Sequence, residues 1–364
     1  MKVALVHDYL SQDGGAEKVL KVFSEIWPEA PIFVLFHDRE KLKQFNNSDI
    51  RESFLAKIPF IKSHYQWTLP FMPLATEHHN LKGFDIVLSS ASAFSKGVIT
   101  DPNTVHISYC HTPTRYLWTD THEYISNLKY NKLIKLALPR LIHKMRIWDR
   151  TSADRVDKFI ANSKIVQKRI KKYYNRNSEV VYPSINVNKF FISGEIGDYF
   201  VSGGRMVAYK RFDLIVHVFN RLGWPVKIFG DGPELEKLQK IAKSNIEFVG
   251  RISDDEKAKL LSRARAFVHP QVEDSGITPL ESIASGRPVI AYAKGGVLET
   301  VQEGKTGTFF YEQTWESLMH KLLNFDDRVW NSIEIRKSVE EFSEEKFKER
   351  VVNLIENEYK KSLI

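Results

Sequence analysis

Residues 266–281, AFVHPQVEDSGITPLE, set the reading of the whole chain. A short apolar stretch, Ala266–His269, passes through a turn containing Gly276 into a segment of helical spacing that starts at Pro279. A strand that ends in a glycine turn and runs directly into a helix is the repeating unit of a parallel α/β sheet. Thr278, Pro279 and Glu281 stand where an N-cap, a first helical residue and a capping-box acid would stand. That spacing leaves Glu281 two roles. It can satisfy backbone donors at the helix start, or it can accept hydrogen bonds from ribose hydroxyls beside a phosphate held on the free amides of Gly276, Ile277 and Thr278.

The same strand-to-helix rhythm extends in both directions. Strands are predicted at Val3–Asp8, Ile32–Phe36, Asp85–Ser89, Val105–Tyr109, Phe159–Asn162 and Val180–Tyr182. A second series follows at Tyr199–Ser202, Val226–Phe229, Ile246–Val249, Ala266–His269 and Pro288–Tyr292. Between the first two strands, Val19, Val22, Phe23, Ile26 and Trp27 repeat at helical spacing. The series restarts near residue 199, after a stretch containing Pro183 and Gly197, so the linker is expected there. The expected organisation is a Rossmann-like domain over 1–185, a second over 199–340, and a charged helix over 341–364. Two such domains create a cleft between the carboxyl ends of two sheets, where open parallel sheets bind ligands.

The 364 residues suit two cores better than one. No apolar run reaches the roughly 18 residues of a membrane span, and the start reads directly into a strand rather than into a signal peptide. The single cysteine, Cys110, excludes a disulfide framework and a cysteine metal site, and points to the reducing cytosol. The net charge of +8 is uneven: residues 1–185 carry 27 Lys and Arg against 18 Asp and Glu, whereas residues 186–364 carry 26 against 27. A basic first half can face nucleic acid, anionic lipid or an acidic substrate.

Five further segments carry chemistry. GGRMVAYKRFD at 203–213 places Arg205 and Lys210 after a glycine turn and before a helix for which Asp213 would be the cap. A departing diphosphate needs cations, which a guanidinium fork and an ammonium can supply; a solvated basic loop is the plainer reading. Gly14 and Gly15 separate the first strand from its helix and let amides approach an anion, or simply make a tight turn. CHTPTRYLW at 110–118 sets His111 at a strand's carboxyl end, suited either to a ligand contact or to a satisfied interface histidine. Gly230 with Asp231, and Arg251 with Ile252, close two second-half strands in turns. No Asp-x-Asp triplet and no cluster with metal-ligand spacing occurs, so no metal and no cofactor is expected.

Glu273 and Glu281 enclose seven residues, and GRPVIAY at 286–292 and GGVLETV at 295–301 follow them. Together these residues closely resemble the second domain of family 4 glycosyltransferases, whose fold is GT-B: two Rossmann-like domains facing each other across a cleft, with a C-terminal helix crossing back to the first. The resemblance covers nearly the whole chain, is strongest over 199–310 and extends to FSEEKF at 342–347. It implies a retaining, metal-independent transfer of a hexose from a nucleotide diphosphate sugar, in which the departing phosphate helps to deprotonate the acceptor on the same face. It implies Glu273 by the donor sugar, Glu281 on the ribose, and Arg205, Lys210 and the amides of 276–278 on the diphosphate. It further places the glycine pair 14–15 against donor phosphate and acceptor, and the 230–231 and 251–252 loops around base and ribose. Ser275 stands where the family usually has phenylalanine, which leaves the sugar less determined. The 110–118 stretch resembles mannosyltransferases that build O-antigen and exopolysaccharide repeats from GDP-mannose. That likeness implies His111 near the anomeric carbon, with Arg115 and Tyr116 as acceptor-binding candidates.

Two first-half segments mix basic and apolar residues. Lys129–Lys158 contains Lys129, Lys132, Lys135, Arg140, Lys144, Arg146, Arg150, Arg155 and Lys158, interleaved with Leu133, Ile134, Leu136, Leu141, Ile142, Met145 and Trp148. Phe54–Met72 contains Lys57 and Lys62 with Phe54, Phe60, Tyr65, Trp67 and Phe71. They read as ordinary core helices, or as an edge resting on anionic lipid that delivers a polyprenyl-linked acceptor at the inner membrane face. Two other classes compete with the transferase. A GT-B epimerase or hydrolase would need carboxylates placed for proton abstraction or water activation. A nucleic-acid-binding protein is disfavoured because the charge is confined to one half and no recognised motif is present.

Overall fold

The computed structural model describes residues 1–59, 61, 65–121 and 132–363. They form two compact units, one of Met1–Tyr182 with Phe347–Ile364, the other of Pro183–Lys346.

The first unit is built on seven strands: β1 (Val3–His7), β2 (Ile32–Val34), β3 (Ile50–Glu52), β4 (Ile86–Ala91), β5 (Val105–Cys110), β6 (Lys158–Ala161) and β7 (Ser178–Val180). Their order is β3-β2-β1-β4-β5-β6-β7 and each pairing is parallel. Every residue of β1, β4 and β5 is buried, because crossover helices cover both faces of a parallel sheet. On one face the helix Gly15–Ile26 lays Val19, Leu20, Val22 and Phe23 against Leu5, Leu88 and Tyr109. The final helix, Glu344–Ser362, joins that cluster through Phe347, Val351, Leu354 and Ile355. Four such buried side chains stabilise the docking by about 1.5–3 kcal/mol each.

The second unit holds β8 (Phe200–Gly203), β9 (Val226–Phe229), β10 (Ile246–Gly250), β11 (Phe267–His269), β12 (Val289–Tyr292) and β13 (Gly307–Phe310), all parallel in the order β10-β9-β8-β11-β12-β13. Alternate residues supply two cores. Val201, Phe267, Val289 and Ala291 enter one; Phe200, Val268, Ile290 and Phe310 enter the other.

The strand order reverses between β1 and β4 in one sheet and between β8 and β11 in the other, which opens a crevice at the carboxyl edge of each. Two strands lie outside the sequence expectations. β3 is an edge strand with Arg51 and Glu52 exposed, and β13 opens on Gly307 and Thr308, so neither carries an apolar run. β7 starts two residues before its expected position. Residues 186–198, expected as linker, fold with the second unit: Ile185 and Phe190 are buried in its core, and the Ile185 amide donates to the Phe342 carbonyl at 2.9 Å.

Candidate functional site

In the second unit the residues from 203 to 211 leave β8 as a loop pressed close to the turn after β9. Gly230, with φ of 112°, is held so near this loop that a Cβ there would lie 2.0 Å from the Gly204 carbonyl oxygen. The Met206 amide donates to the Asp231 carbonyl at 2.9 Å. The Gly230–Asp231 turn is therefore what fixes the backbone that carries Arg205 and Lys210. Arg205 is exposed, and Lys210 Nζ lies 2.6 Å from Glu273 Oε1, in the loop after β11. The expected cap of the following helix is corrected. Arg211 occupies the N-cap of Phe212–Leu222 in the left-handed region, φ 55°, and Asp213 sits in the first turn, where it holds the Arg211 guanidinium at 3.0 Å.

The 273–281 segment is also shaped by backbone contact. The Gly296 amide donates to the Glu273 carbonyl at 2.7 Å, and a Cβ on Gly295, φ 92°, would stand 2.5 Å from that oxygen. Thr278 is not an N-cap and no capping box forms. The helix runs Ile277–Ala284 with Gly276 as its N-cap in the left-handed region, φ 66°, without a side-chain cap. Glycine tolerates that conformation at no steric cost, so the chain turns two residues earlier than the Thr-x-x-Glu spacing suggests. Glu281 then points inward. It is buried, and its Oε1 lies 2.8 Å from Lys257 Nζ, which also reaches Asp254 at 3.2 Å. Asp231 and Arg251, from the turns after β9 and β10, pair at 3.3 Å on the surface.

The first unit gathers a second polar group at the carboxyl ends of β1, β4 and β5. Asp8, one residue past β1, is buried and accepts four backbone amides: Ser92 and Ala93 on Oδ2 at 2.8 and 2.9 Å, Phe94 and Ser95 on Oδ1 at 2.7 Å each. This ties the glycine-pair loop to the turn after β4. His111 follows β5, its amide on the Ala91 carbonyl at 2.8 Å and its Nε2 2.8 Å from Ser90 Oγ. Burial, with His7 nearby, pulls His111 down to about 3, so the ring is neutral near pH 7. The 112–118 turn is anchored by Asp149, buried on the helix Lys132–Ser152, which takes Thr114 Oγ1 at 3.0 Å, Trp118 Nε1 at 2.7 Å, Tyr174 Oη at 2.9 Å and the Lys96 ammonium at 2.5 Å. Arg115 pairs with Asp120 at 2.7 Å, and Tyr116 is half-buried. Gly14 is the N-cap of its helix, and Glu17, in the first turn, is buried beneath it.

Sequence reasoning left four of these residues unassigned. Lys257 lies in the charge run 254–259, which reads as a solvated face. Asp8, His7 and Ser90 lie at the ends of strands, and strand-end position was the one available signal. Among the described residues, no group of three or more His, Cys, Asp or Glu could hold a metal ion, and no helix is long and apolar enough to cross a membrane.

Two doubly wound sheets, each with a glycine turn and charged side chains at its carboxyl edge, have the GT-B fold, which one class of glycosyltransferases adopts. The chain belongs to family 4 of that class: residues 14–189 match the model described as Glycosyltransferase Family 4, and residues 188–328 match Glycosyl transferases group 1. An uncharacterized glycosyltransferase of Methanocaldococcus jannaschii is 27% identical over 52% of this chain and 54% of its own length. The O-antigen chain mannosyltransferase of Salmonella typhimurium is 25% identical over 57% of this chain and 58% of its own. A GDP-mannose-dependent phosphatidylinositol monomannoside mannosyltransferase of Mycobacterium tuberculosis is 39% identical over 28% of this chain and 31% of its own. The chain thus spans little more than half the length of the first two relatives and less of the third. Solved structures share the fold: Anabaena HepE in complex with UDP and glucose has a TM-score of 0.73 at 15% identity over 98% of this chain and 99% of that one. Sucrose-phosphate synthase from Thermosynechococcus elongatus has 0.76 at 16% identity over 99% of each.

Proposed function

We propose that the chain transfers a hexose, with retention, from a nucleotide diphosphate sugar to a saccharide or polyprenyl-linked acceptor in cell-surface polysaccharide synthesis. The best-supported donor is GDP-mannose, since two of the relatives are mannosyltransferases and one depends on GDP-mannose by name. The observation that carries the reading is the Lys210–Glu273 pair at 2.6 Å. A cation and a carboxylate face each other, beside a helix N-terminus, where a diphosphate and a sugar hydroxyl would each replace one partner.

In this mechanism Lys210 and Arg205 neutralise the growing charge on the leaving diphosphate, and the free amides at 276–278 add the positive end of a helix dipole. No divalent ion is needed for that role. Glu281, held by Lys257, accepts the ribose hydroxyls, and the turns at 230–231 and 251–252 frame the base. Glu273 accepts hydrogen bonds from the sugar, and His111 contacts the sugar near its reacting carbon. The bond from the anomeric carbon to the diphosphate breaks, the acceptor oxygen bonds to that carbon on the same face, and a departing phosphate oxygen takes the acceptor's hydroxyl proton, so configuration is preserved.

A cytoplasmic enzyme using a lipid-linked acceptor would work at the inner membrane face. Phe54, Trp67, Phe71 and Leu74 are 38–67% exposed, and Lys57 in the same stretch of sequence is exposed as well. The second basic segment is largely ordinary: Ile142 and Met145 are buried, and Arg146, Arg150 and Arg155 are engaged with the protein. Phe60, Lys62 and Lys129 lie outside the described residues, as do the side chains of Lys132–Leu136. Salt-sensitive sedimentation with anionic liposomes is expected, and its absence would remove the membrane from this reading.

The donor is tested by a thermal-shift panel of GDP-, UDP- and dTDP-sugars in EDTA. A ligand at 100 times its Kd adds about 2.7 kcal/mol to stability, so GDP-mannose should raise the melting temperature most. Stabilisation by none of them would refute the reading.

A further inference from the structure

Four polar side chains of the first unit form one buried series. Glu17 Oε1 lies 3.8 Å from His7 Nε2, His7 Nδ1 lies 3.1 Å from Ser90 Oγ, and Ser90 Oγ lies 2.8 Å from His111 Nε2. All four residues are buried. The sheet builds this order directly, because β1 and β4 pair His7 with Ser90, and β4 and β5 pair Ala91 with Cys110, next to His111.

The series has a direction. Ser90 has one hydroxyl proton for two imidazoles, so it can donate to at most one ring and accepts from the other. The Glu17 carboxylate decides between them. It offers acceptors only, so the Nε2 of a neutral His7 facing it carries the proton. His7 Nδ1 is then a lone pair and takes the Ser90 hydroxyl proton. Ser90 Oγ in turn accepts from His111 Nε2–H, which leaves His111 Nδ1 unprotonated and outside the relay. The opposite order would aim a lone pair of neutral His7 at a carboxylate.

We propose that Glu17, His7 and Ser90 are positioning residues that hold His111 as the Nε2–H tautomer, so that Nδ1 meets the donor sugar as an acceptor for one of its hydroxyls. The burial that keeps His111 neutral supports the same picture, since a ring protonated on both nitrogens would present no acceptor. The proposal rests on the reading that His111 contacts the donor sugar. It adds which atom does so, and which three residues dictate the polarity of that contact.

The test is long-range proton–nitrogen NMR on the full chain with 15N-labelled histidine, which distinguishes protonated from bare ring nitrogens. His111 is assigned by the signals missing in His111→Gln. Wild type should show a neutral His111 with Nε2 protonated. Ser90→Ala should convert it to a mixture, and Ser90→Thr, which keeps the hydroxyl, should restore the single form. A wild-type ring protonated on Nδ1, as a doubly protonated His7 would impose, overturns the proposal without any variant having to fold. So does a Ser90→Ala spectrum identical to wild type. In binding, Ser90→Ala should reduce the preference for nucleotide sugar over bare nucleoside diphosphate by about 2- to 10-fold, the loss of one neutral hydrogen bond, while Ser90→Thr should not. If His111→Gln leaves that preference unchanged, the sugar contact itself is wrong. If it abolishes the preference while the tautomer is reversed, the relay alone fails.

Discussion

Replacing Lys257 by methionine keeps the length of the side chain and removes one half of a buried ion pair. Its ammonium lies 2.8 Å from Glu281 and 3.2 Å from Asp254, and those carboxylate side chains are 6% and 43% exposed. Water can take over the solvation of Asp254, but little of it reaches Glu281. Stranding one member of a buried pair costs about 3–5 kcal/mol, most of it desolvation of the survivor. In a domain the size of the second unit each kcal/mol moves the melting temperature by about 2–4 °C, so the second unit should melt roughly 6–20 °C earlier. Lys257→Met combined with Glu281→Leu leaves neither charge behind and should recover most of the loss. Calorimetry on the wild type, both single variants and the double variant closes a double-mutant cycle. The same proteins report on binding. A ribose hydrogen bond to a carboxylate contributes about 1.5–3 kcal/mol, so Glu281→Gln should weaken nucleotide binding by roughly 10- to 150-fold. A Lys257→Met protein within about 1 kcal/mol of wild type, additive with the Glu281 change, would refute the claim that the pair acts as a unit.

Three further outcomes are expected. Glu273→Gln frees Lys210 from its 2.6 Å partner, so a bare nucleoside diphosphate should bind up to about fivefold more tightly while the sugar nucleotide binds less well; equal changes for both ligands in calorimetric titration would contradict the pairing. Gly230→Ala places a Cβ 2.0 Å from the Gly204 oxygen and also forces alanine to φ 112°, so it should unfold or displace the phosphate loop at a cost of several kcal/mol (roughly 3 or more), read by urea denaturation. Burial holds His79 near 4 and His106 and His111 near 3 in the first unit, and His269 near 4 in the second. These values lie below the ordinary histidine value of about 6.5, so on acidification the unfolded chain binds protons first, and stability falls from about pH 6.5 down toward those lower values by about 1.4 kcal/mol per pH unit for each histidine. The first unit, with three of the four, should lose stability about three times as steeply between about pH 6.5 and 4; equal slopes in a pH series of melting curves would contradict this assignment of the buried rings.

Much of the architecture was legible because parallel strands buried on both faces leave continuous apolar runs, as in Val3–His7 and Phe267–His269. The strands that escaped, β3 and β13, sit where burial is partial or where the run opens on glycine and threonine. Helix starts were less legible. The Thr278 and Asp213 assignments followed side-chain propensity, yet the backbone chose left-handed residues, Gly276 and Arg211, to turn the corner. Arg205, Lys210 and the two glutamates were singled out by the family resemblance carried by their motifs. Their partners were not: Lys257 reaches Glu281 across 24 positions, and Ser90 reaches His7 and His111 from another strand, so only the folded sheet reveals them.

The central claim is that fixed cations and exposed amides of the second unit hold the diphosphate of a sugar nucleotide without a divalent ion. A crystal structure of the chain soaked with GDP or UDP in EDTA tests it most directly. The account predicts phosphate oxygens on Lys210, Arg205 and the amides of 276–278, with the ribose on Glu281. A nucleotide lodged away from residues 205–281, or one that binds only when a divalent ion is restored, would contradict it.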